Sequence, residues 1–216
     1  MNEAEASKIL NKSKASCVIR EHILSQTDEK TTRRIWKRTI EELAQIYNKF
    51  PDVPKGEQMH TKAIFNAAAL YIALKAVVPE RAKELFEQGM AKYAKLSAKK
   101  FQRMVKMPLG KGFFLKMFAA GAKTAFGEKA GFRQQFHTAD RKVLRFDILK
   151  CPYHDYLEKL GCPEIAYTFC DNDIYCYGEL KGITFERTQT LGTGGLQGLT
   201  ARCGSLLFQI RKRRAF

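Results

Sequence analysis

The stretch RKVLRFDILK, from Arg141 to Lys150, marks the change of pattern that decides the fold. In it the apolar residues Leu144, Phe146 and Ile148 alternate with polar residues, which is the pattern of a strand buried on one face. Before this stretch, apolar residues recur at spacings of three and four, as in amphipathic helices. The sequence therefore predicts helices first and an antiparallel sheet last, an order typical of an α+β fold.

Four helices are predicted before residue 110. The residues up to about Phe50 fit two amphipathic helices, separated by the turn and capping residues from Ser25 to Thr32. A third helix begins at about Glu57. A fourth begins with Pro79 in its first turn and runs to about Val105. We expect these helices to form an N-terminal bundle.

The segment FFLKMFAAGAKTAFGEKAGF, which begins at Phe113, combines aromatic residues with lysines. Helical spacing places Phe114 next to Phe118 in one row and Phe113 next to Met117 in a second row. A helix of this kind can lie on a membrane surface, but such rows more often pack into a core. We expect core packing, and we expect no membrane partner. Its glycines make the segment a candidate lid over a site.

Short helices and further strands are predicted after Lys150. The helices run from Tyr153 to Leu160 and from Pro163 to about Asp173, and the strands run from Ile183 to Leu191 and from Ser205 to Ile210. The glycines from Gly192 to Gly195 fit a hairpin turn better than a phosphate-binding loop, which would be followed by Lys and Ser or Thr. We expect a helical region over residues 1–140 and an α+β region over residues 141–216, together in one compact unit.

The composition indicates which kind of ligand and which cellular compartment to expect. The 216 residues carry a formal net charge of +16, which favours an anionic ligand. Lys and Arg are spread over the predicted helices, and only Arg211 to Arg214 form a run, so we expect a small anionic metabolite and no nucleic acid. The N-terminus lacks the apolar segment of a signal peptide, and six cysteines without such a signal indicate reduced thiols in a cytoplasmic protein. A homo-oligomer is compatible with the sequence.

Arg187 is the basic residue that the strand pattern singles out. Alternation places it on the same face as Ile183 and Phe185. A guanidinium on an apolar face keeps its proton and needs an anion beside it, because a buried unpaired charge is costly. That anion is either an internal carboxylate, with Asp173 the obvious choice, or the carboxylate of a substrate. Both alternatives stay open at this point.

Cys170 and Asp173 lie three residues apart near the end of a predicted helix, and therefore on one face. A thiol beside a carboxylate can act as nucleophile and base. The carboxylate also raises the pKa of the thiol, so the pair needs a cation such as Arg187 or His154 close by. Without that cation Cys170 is a packing residue.

Metal and cofactor chemistry has little support. Cys151 and His154 would complete a ligand set with Cys170 and Asp173, but the chain has no Cys-x-x-Cys motif, so we expect no metal and no cofactor. The remaining histidines show no partner in the sequence pattern, and we expect them to be ordinary surface or core residues. They are His22, His60 and His137.

Three segments carry a resemblance to a known family: CPYHDYLEKLG from Cys151, PEIAYTFCDND from Pro163 and FERTQTLGTGG from Phe185. Their order resembles the C-terminal half of the L-2-amino-thiazoline-4-carboxylic acid hydrolase family over a stretch from about Phe146 to Gly195. The matching positions are Cys151, Tyr153, Leu160, Gly161, Cys170, Asp173, Arg187, Thr188, Thr190, Gly192 and Gly194. Where the family pattern closes with a Cys and an acidic residue, this chain has Cys203 followed by a glycine.

The resemblance implies a hydrolase that opens a small cyclic amidine, such as L-2-amino-thiazoline-4-carboxylate, to an N-carbamoyl amino acid. For this reaction the catalytic candidates are Cys170, Asp173 and His154, and the substrate-binding candidates are Arg187, Thr190 and Cys151. The last cysteine-bearing hairpin is also similar to small-molecule-sensing domains of the vinyl-reductase-like type. That similarity implies the alternative of a ligand-binding or sensor domain without catalysis.

Overall fold

The computed structural model describes residues 1–140, 142–187 and 205–210, and it confirms the α+β class. In chain order the described elements are α1 (Glu3–Lys12), α2 (Lys14–Gln26), α3 (Glu29–Lys49), α4 (Gln58–Val77), α5 (Ala82–Lys106), α6 (Gly110–Ala125), β1 (Arg133–Ala139), β2 (Val143–Lys150), α7 (Pro152–Lys159), α8 (Ala166–Tyr177), β3 (Ile183–Arg187) and β4 (Ser205–Ile210). Six helices thus precede the first described strand, as the change of sequence pattern predicts. No described helix is long and apolar enough to cross a bilayer.

The first predicted helix is two helices, because Ser13 interrupts it. The N–H of Ser13 donates to the carbonyl of Leu10 at 3.0 Å and so closes α1. Its hydroxyl accepts from the N–H of Ser16 at 3.3 Å and so caps α2. Buried apolar residues continue on both sides of the break, with Leu10 before it and Ile19 after it. Apolar spacing alone therefore did not reveal this break, and the prediction of two helices up to Phe50 is wrong by one.

The chain divides into two compact units. The first comprises Met1–Tyr93 and Tyr153–Thr168, and the second comprises Ala94–Pro152 and Phe169–Phe216. The chain passes from one unit to the other three times, within α5, at the start of α7 and within α8. The sequence-based regions 1–140 and 141–216 stay a prediction about domains.

In the first unit α3 packs along α4. The ring of Phe65 in α4 is buried and lies 5.2 Å from the ring of Tyr47 in α3 and 5.7 Å from that of Tyr156 in α7. These edge-on ring contacts hold α7 against the helix pair. The single tryptophan of the chain, Trp36 in α3, is 7% exposed and lies beneath the guanidinium of Arg20 in α2, which is 4.8 Å from the ring centre.

The second unit contains the sheet, with strand order β1-β2-β4-β3 and antiparallel neighbours throughout. Phe208 of β4 pairs with Leu144 of β2 and with Phe185 of β3, so these side chains share one face of the sheet. Rings from two helices cover this face, because Phe118 of α6 and Tyr177 of α8 lie 4.6 and 5.4 Å from the ring of Phe208. This aromatic layer is the core of the unit.

The sequence did not predict β1. Its residues RQQFHTA include one large apolar side chain, Phe136, which stacks on Phe146 of β2 at 5.1 Å. The other side chains of β1 are mostly exposed, as on an edge strand that pairs with β2 alone. A strand of this kind lacks the alternation on which its prediction would depend.

The two aromatic rows of α6 have different environments. Phe114 is fully buried, with its ring 5.7 Å from that of Phe118, so core packing is confirmed for this row. Phe113 is 60% exposed and Met117 is 38% exposed, so the expectation of core packing is wrong for the second row. Neighbouring residues of a helix point about 100° apart, and only one of the two rows faces the sheet.

Candidate active site

Arg187 ends the described part of β3, and its side chain is 11% exposed. Strand alternation puts it on the face of Phe185, as the sequence predicts. Its Nη2 lies 3.1 Å from Oδ1 of Asp171, and its Nη1 donates to the backbone carbonyl of Cys170. The internal partner is therefore Asp171 and not the expected Asp173. Asp173 lies two positions further along α8, about 200° around the helix.

Asp173 lies on α8, in the same unit as Arg187, and the residue is half-buried. Burial raises the pKa of its carboxyl to about 7, the charge of Arg187 lowers it in part, and the charge of Asp171 raises it. A carboxyl with this pKa is ionised in about half of the molecules at neutral pH. It is therefore able to accept and to donate a proton under those conditions.

Burial also affects two side chains near the end of α8, those of Cys176 and Tyr177. Burial, followed by the charge of Asp173, raises the pKa of the Cys176 thiol to about 11. The same two causes, in that order, raise the pKa of the Tyr177 hydroxyl above its ordinary value. Both groups are neutral at physiological pH and contribute to packing.

Cys170 is half-buried and precedes Asp173 by one turn of α8. Arg187, one of the two cations that this pair was expected to need, donates to the backbone carbonyl of Cys170 and to the side chain of Asp171. Three of the six predicted site residues, namely Cys170, Asp173 and Arg187, thus lie on α8 and β3, two elements that the contacts of Arg187 connect, and their roles stay predictions.

The other three predicted residues are placed differently. His154 lies on α7 in the first unit, with its Nδ1 3.8 Å from Oδ1 of Asp155. Cys151 is half-buried and follows directly after β2 in the second unit. Thr190 and the glycine turn after it lie outside the described residues. The roles of His154, Cys151 and Thr190 stay predictions.

Asn172 adds a polar atom to this part of α8. Its side-chain oxygen is buried and accepts no hydrogen bond from the residues that the structure describes. A buried acceptor without a donor costs about 1–3 kcal/mol, so a water or ligand that donates to it would stabilise the protein.

The described cysteines are all free thiols: Cys17, Cys151, Cys162, Cys170 and Cys176. Cys162 is fully buried, and burial raises the pKa of its thiol to about 11. Since the thiolate is the reactive form, Cys162 is a packing residue at neutral pH. Within residues 1–140, 142–187 and 205–210, no three His, Cys, Asp or Glu side chains form a group that could hold a metal ion.

The structure reveals a pair that sequence reasoning missed. His137 lies in β1 where the β1–β2 register shifts after Phe136, which makes it the bulged residue. Its Nε2 lies 2.9 Å from Oδ2 of Asp147, whose side chain is 7% exposed. A carboxylate in this position orients an imidazole and leaves Nδ1 as the acceptor. The available signal was an acidic residue in the middle of the strand that Phe146 and Ile148 define.

The remaining two histidines also have hydrogen-bond partners, which the sequence pattern did not show. His60 is 6% exposed, and its Nδ1 lies 3.1 Å from the hydroxyl of Tyr153. The Nε2 of His22 lies 3.1 Å from Oε1 of Gln88. These partners lie 93 and 66 residues away in the chain, which sequence spacing cannot reveal.

A family model described as L-2-amino-thiazoline-4-carboxylic acid hydrolase matches residues 57–197 of this chain. The chain belongs to this family. The match begins just before α4, well upstream of Phe146, where the quoted resemblance begins. The family's region in this chain therefore includes the helices α4, α5 and α6 as well as the candidate site.

All described candidate catalytic and binding residues lie within the part of the chain that matches the L-2-amino-thiazoline-4-carboxylic acid hydrolase family. The His137–Asp147 pair lies there too. No curated protein and no solved structure matches the chain. The similarity of the last hairpin to vinyl-reductase-like sensor domains stays a prediction.

Proposed function

We propose that the protein is a hydrolase that opens a small cyclic amidine, such as L-2-amino-thiazoline-4-carboxylate, to an N-carbamoyl amino acid. Membership in the family supports a hydrolase. The observation that carries the proposal is the raised pKa of the Asp173 carboxyl on α8. Burial raises this pKa to about 7, although the charge of Arg187 lowers it in part. General acid-base catalysis is most efficient when the pKa of the group lies near the working pH.

The reaction adds one water to the ring. The water oxygen bonds to the carbon that carries two nitrogens and the sulfur, and the bond from that carbon to sulfur breaks. One water proton ends on the ring nitrogen and the other on the sulfur, so the product has a urea group and a free thiol. Because each step needs a proton to be removed or supplied, a group that is half ionised at neutral pH can act as the base in one step and as the acid in the other.

Each site residue has a proposed role in this reaction. The Asp173 carboxylate takes a proton from the attacking water, and its acid form protonates the leaving sulfur. Cys170 and His154 are the further catalytic candidates. Arg187, Thr190 and Cys151 are proposed to bind the substrate.

Arg187 can bind a substrate carboxylate while it holds Asp171. A guanidinium has five N–H donors, and the described contacts of Arg187 engage Asp171 and the carbonyl of Cys170. The remaining donors are sufficient for a carboxylate. Asn172 complements this arrangement, because its buried side-chain oxygen can accept from the N–H groups of an amidine.

The decisive experiment follows thiol-containing product by mass spectrometry after incubation of the purified protein with L-2-amino-thiazoline-4-carboxylate. We expect turnover by the wild type, and a loss of about 10²–10⁴-fold in kcat for Asp173→Asn. The exposed residue Asp52 provides the matched control, and Asp52→Asn should retain full activity. Calorimetric titration should show that Asp173→Asn still binds the substrate.

The pH profile provides a second readout of the same group. If Asp173 acts as the base, kcat/KM should rise as the pH increases through about 7, where its carboxyl ionises. A profile that is flat across this range, or full activity in Asp173→Asn, would assign the proton transfer to another group. The His137–Asp147 pair is the next candidate to examine.

A binding or sensor protein without catalysis is the second candidate function. The ion pair between Arg187 and Asp171 favours it, because a guanidinium that already has an internal partner can serve structure alone. Binding of the thiazoline carboxylate without any product would establish this alternative.

The ligand and the compartment are further parts of the proposal. The net charge of +16 favours a small anionic metabolite. The described cysteines are free thiols, which fits a reducing cytoplasmic environment. Gel filtration combined with light scattering would show whether the protein is a homo-oligomer.

A further inference from the structure

The outward side of α6 is apolar. Leu109, Phe113 and Met117 follow one another at intervals of four residues and form a single row. They are 92%, 60% and 38% exposed, respectively. Ala120 continues the row and is also exposed. We call these four residues the α6 face.

An exposed row of this kind is unusual because α6 already buries a second row. In this row Phe114 is fully buried, and the rings of Phe114 and Phe118 lie 6.0 and 4.6 Å from the ring of Phe208 in the sheet. A helix that needed only this attachment would present polar residues to water. Exposed apolar patches on a folded protein commonly mark a surface that contacts another body.

Positive charge accompanies the α6 face. Lys116 and Lys123 are exposed, and helical spacing places both along one flank of the row. Over the wider stretch from Gln88 to Gly127 the sequence contains nine Lys and Arg residues and no Asp or Glu. More than half of the net charge of +16 comes from this stretch. The partner of the α6 face should therefore combine negative charge with an apolar interior.

We propose that the α6 face binds the surface of an anionic phospholipid bilayer. The helix lies parallel to the surface, the side chains of Leu109 and Phe113 enter the boundary between headgroups and acyl chains, and Lys116 and Lys123 contact lipid phosphates. This is peripheral attachment and needs no helix that crosses the bilayer. We expected no membrane partner because we expected both aromatic rows of α6 to pack in the core. The row of Phe113 and Met117 is exposed, so that reason no longer holds.

Other partners fit these observations less well. A second copy of the chain would bring two acid-free, lysine-rich surfaces together, which is repulsive. A nucleic acid offers negative charge, but it offers no apolar interior to a row of Leu, Phe and Met. A bilayer with anionic headgroups supplies both properties.

The test is sedimentation of the full chain with vesicles of phosphatidylcholine alone or of phosphatidylcholine mixed with phosphatidylglycerol. We expect binding to the anionic vesicles, little binding to the neutral ones and weaker binding at high salt. The double variant Leu109→Asn/Phe113→Ser should bind at least about tenfold more weakly, because it removes the inserted side chains. Asn tolerates the left-handed backbone of Leu109, which has a φ of 59°.

Two further variants separate charge from apolar insertion. Lys116→Glu/Lys123→Glu should weaken binding to anionic vesicles by about tenfold or more. The matched control Leu24→Ser/Met59→Ser removes two exposed apolar residues of the first unit, which are 47% and 63% exposed, and should bind like the wild type. Far-ultraviolet circular dichroism would confirm that each variant is folded.

Several outcomes would overturn the proposal. They are no binding to anionic vesicles, equal binding to neutral ones, or unchanged binding in Leu109→Asn/Phe113→Ser. If the wild type binds single-stranded polynucleotides more tightly than vesicles, the stretch is a nucleic-acid surface. If it self-associates and this variant does not, the face is an interface between copies. None of these measurements uses a substrate, so they do not depend on the proposed hydrolase activity.

Discussion

At the scale of single residues, α8 concentrates groups whose neutral form is favoured by burial. The pKa values of Asp173, Cys176 and Tyr177 are all raised, with burial as the main cause. The exposed Asp28 shows the opposite behaviour, since hydrogen bonds from the hydroxyl and the backbone N–H of Thr31 lower the pKa of its carboxyl. A helix segment that accepts the stability cost of a buried acid is a reasonable place for proton chemistry.

The difference in stability between Asp173→Asn and the wild type should depend on pH. The folded pKa of about 7 lies above the usual value of 3.8, so the folded state holds its proton more strongly than the unfolded state. The free energy of unfolding of the wild type therefore falls as the pH rises from about 4 to about 7. Above that range the carboxyl is ionised in both states, and this free energy falls no further. Asn mimics the neutral acid and should be more stable by about 2–4 kcal/mol at pH 8, but similar at pH 4.

Urea unfolding of both proteins across this pH range measures the effect. Asp52→Asn, at an exposed position, should show a difference that does not change with pH. A constant difference for Asp173→Asn as well would mean that its carboxyl is not held neutral by the fold.

The residues of the candidate site were only partly predictable. Alternation along β3 correctly placed Arg187 on the apolar face with Phe185. The choice between Asp171 and Asp173 as its partner depends on the rotational phase of α8, and a shift of two residues turns a helix by more than half a turn. The sequence gives the spacing of the two acids but not that phase.

At the scale of elements, α6 both packs into the aromatic core and begins in close contact with α5. Its inward row belongs to the aromatic core, and its start lies so close to the end of α5 that a side chain at Gly110 would overlap the carbonyl oxygen of Met104. Gly121, in the middle of the same helix, has no atom within 4 Å of the position that a Cβ would take.

The same substitution at these two glycines should have opposite effects. Gly110→Ala should destabilise the protein by about 1–3 kcal/mol, because backbone atoms would have to move. Gly121→Ala should stabilise it by about 0.5–1 kcal/mol, because alanine restricts the unfolded chain and favours the helix. Thermal unfolding of the two variants compares them directly. Equal effects would show that close packing does not require the glycine at the α5–α6 corner.

The elements themselves differ in how visible they are in the sequence. Long amphipathic helices and the strand β2 follow from periodicity, because one face of each is buried. The break at Ser13 depends on a capping hydroxyl, and β1 depends on pairing with β2 more than on its own residues. Both features arise from individual hydrogen bonds, which an apolar pattern does not record.

At the scale of the whole molecule, the excess of positive charge limits stability. A net charge of +16 produces self-repulsion in the compact state. The described ion pairs are mostly exposed pairs within single helices, such as Arg33 with Glu29, and pairs of this type contribute little. The charge is therefore available for an anionic partner at some cost to the fold.

Added salt should raise the melting temperature. Screening reduces the self-repulsion, so we expect the melting temperature to rise by a few degrees between low and physiological ionic strength. For a chain of this length, each kcal/mol added to the free energy of unfolding raises the melting temperature by about 2–4 °C. Lys99→Gln, at an exposed position in the acid-free stretch, should raise the melting temperature at low salt and have less effect at high salt. A melting temperature that falls with added salt would mean that attractive pairs outweigh the net charge.

The order of helices and sheet could be predicted at this scale, and so could the resemblance of the last third to a hydrolase family. The sequence did not predict that the family match extends upstream to residue 57, because α4 to α6 carry apolar patterns that many helical proteins share. The pairing of His137 with Asp147 depends on a bulge, which alternation does not show.

Trp36 gives this protein an unusually selective spectroscopic signal. As the single tryptophan, packed under Arg20 in the first unit, it makes fluorescence emission a monitor of that unit alone. The near-ultraviolet dichroism reports on both units, because it includes the rings around Phe208 in the second unit as well as Trp36 and the rings around Phe65 in the first. Denaturation curves recorded with the two signals would coincide if both units melt in a single cooperative transition, and would separate if each melts on its own.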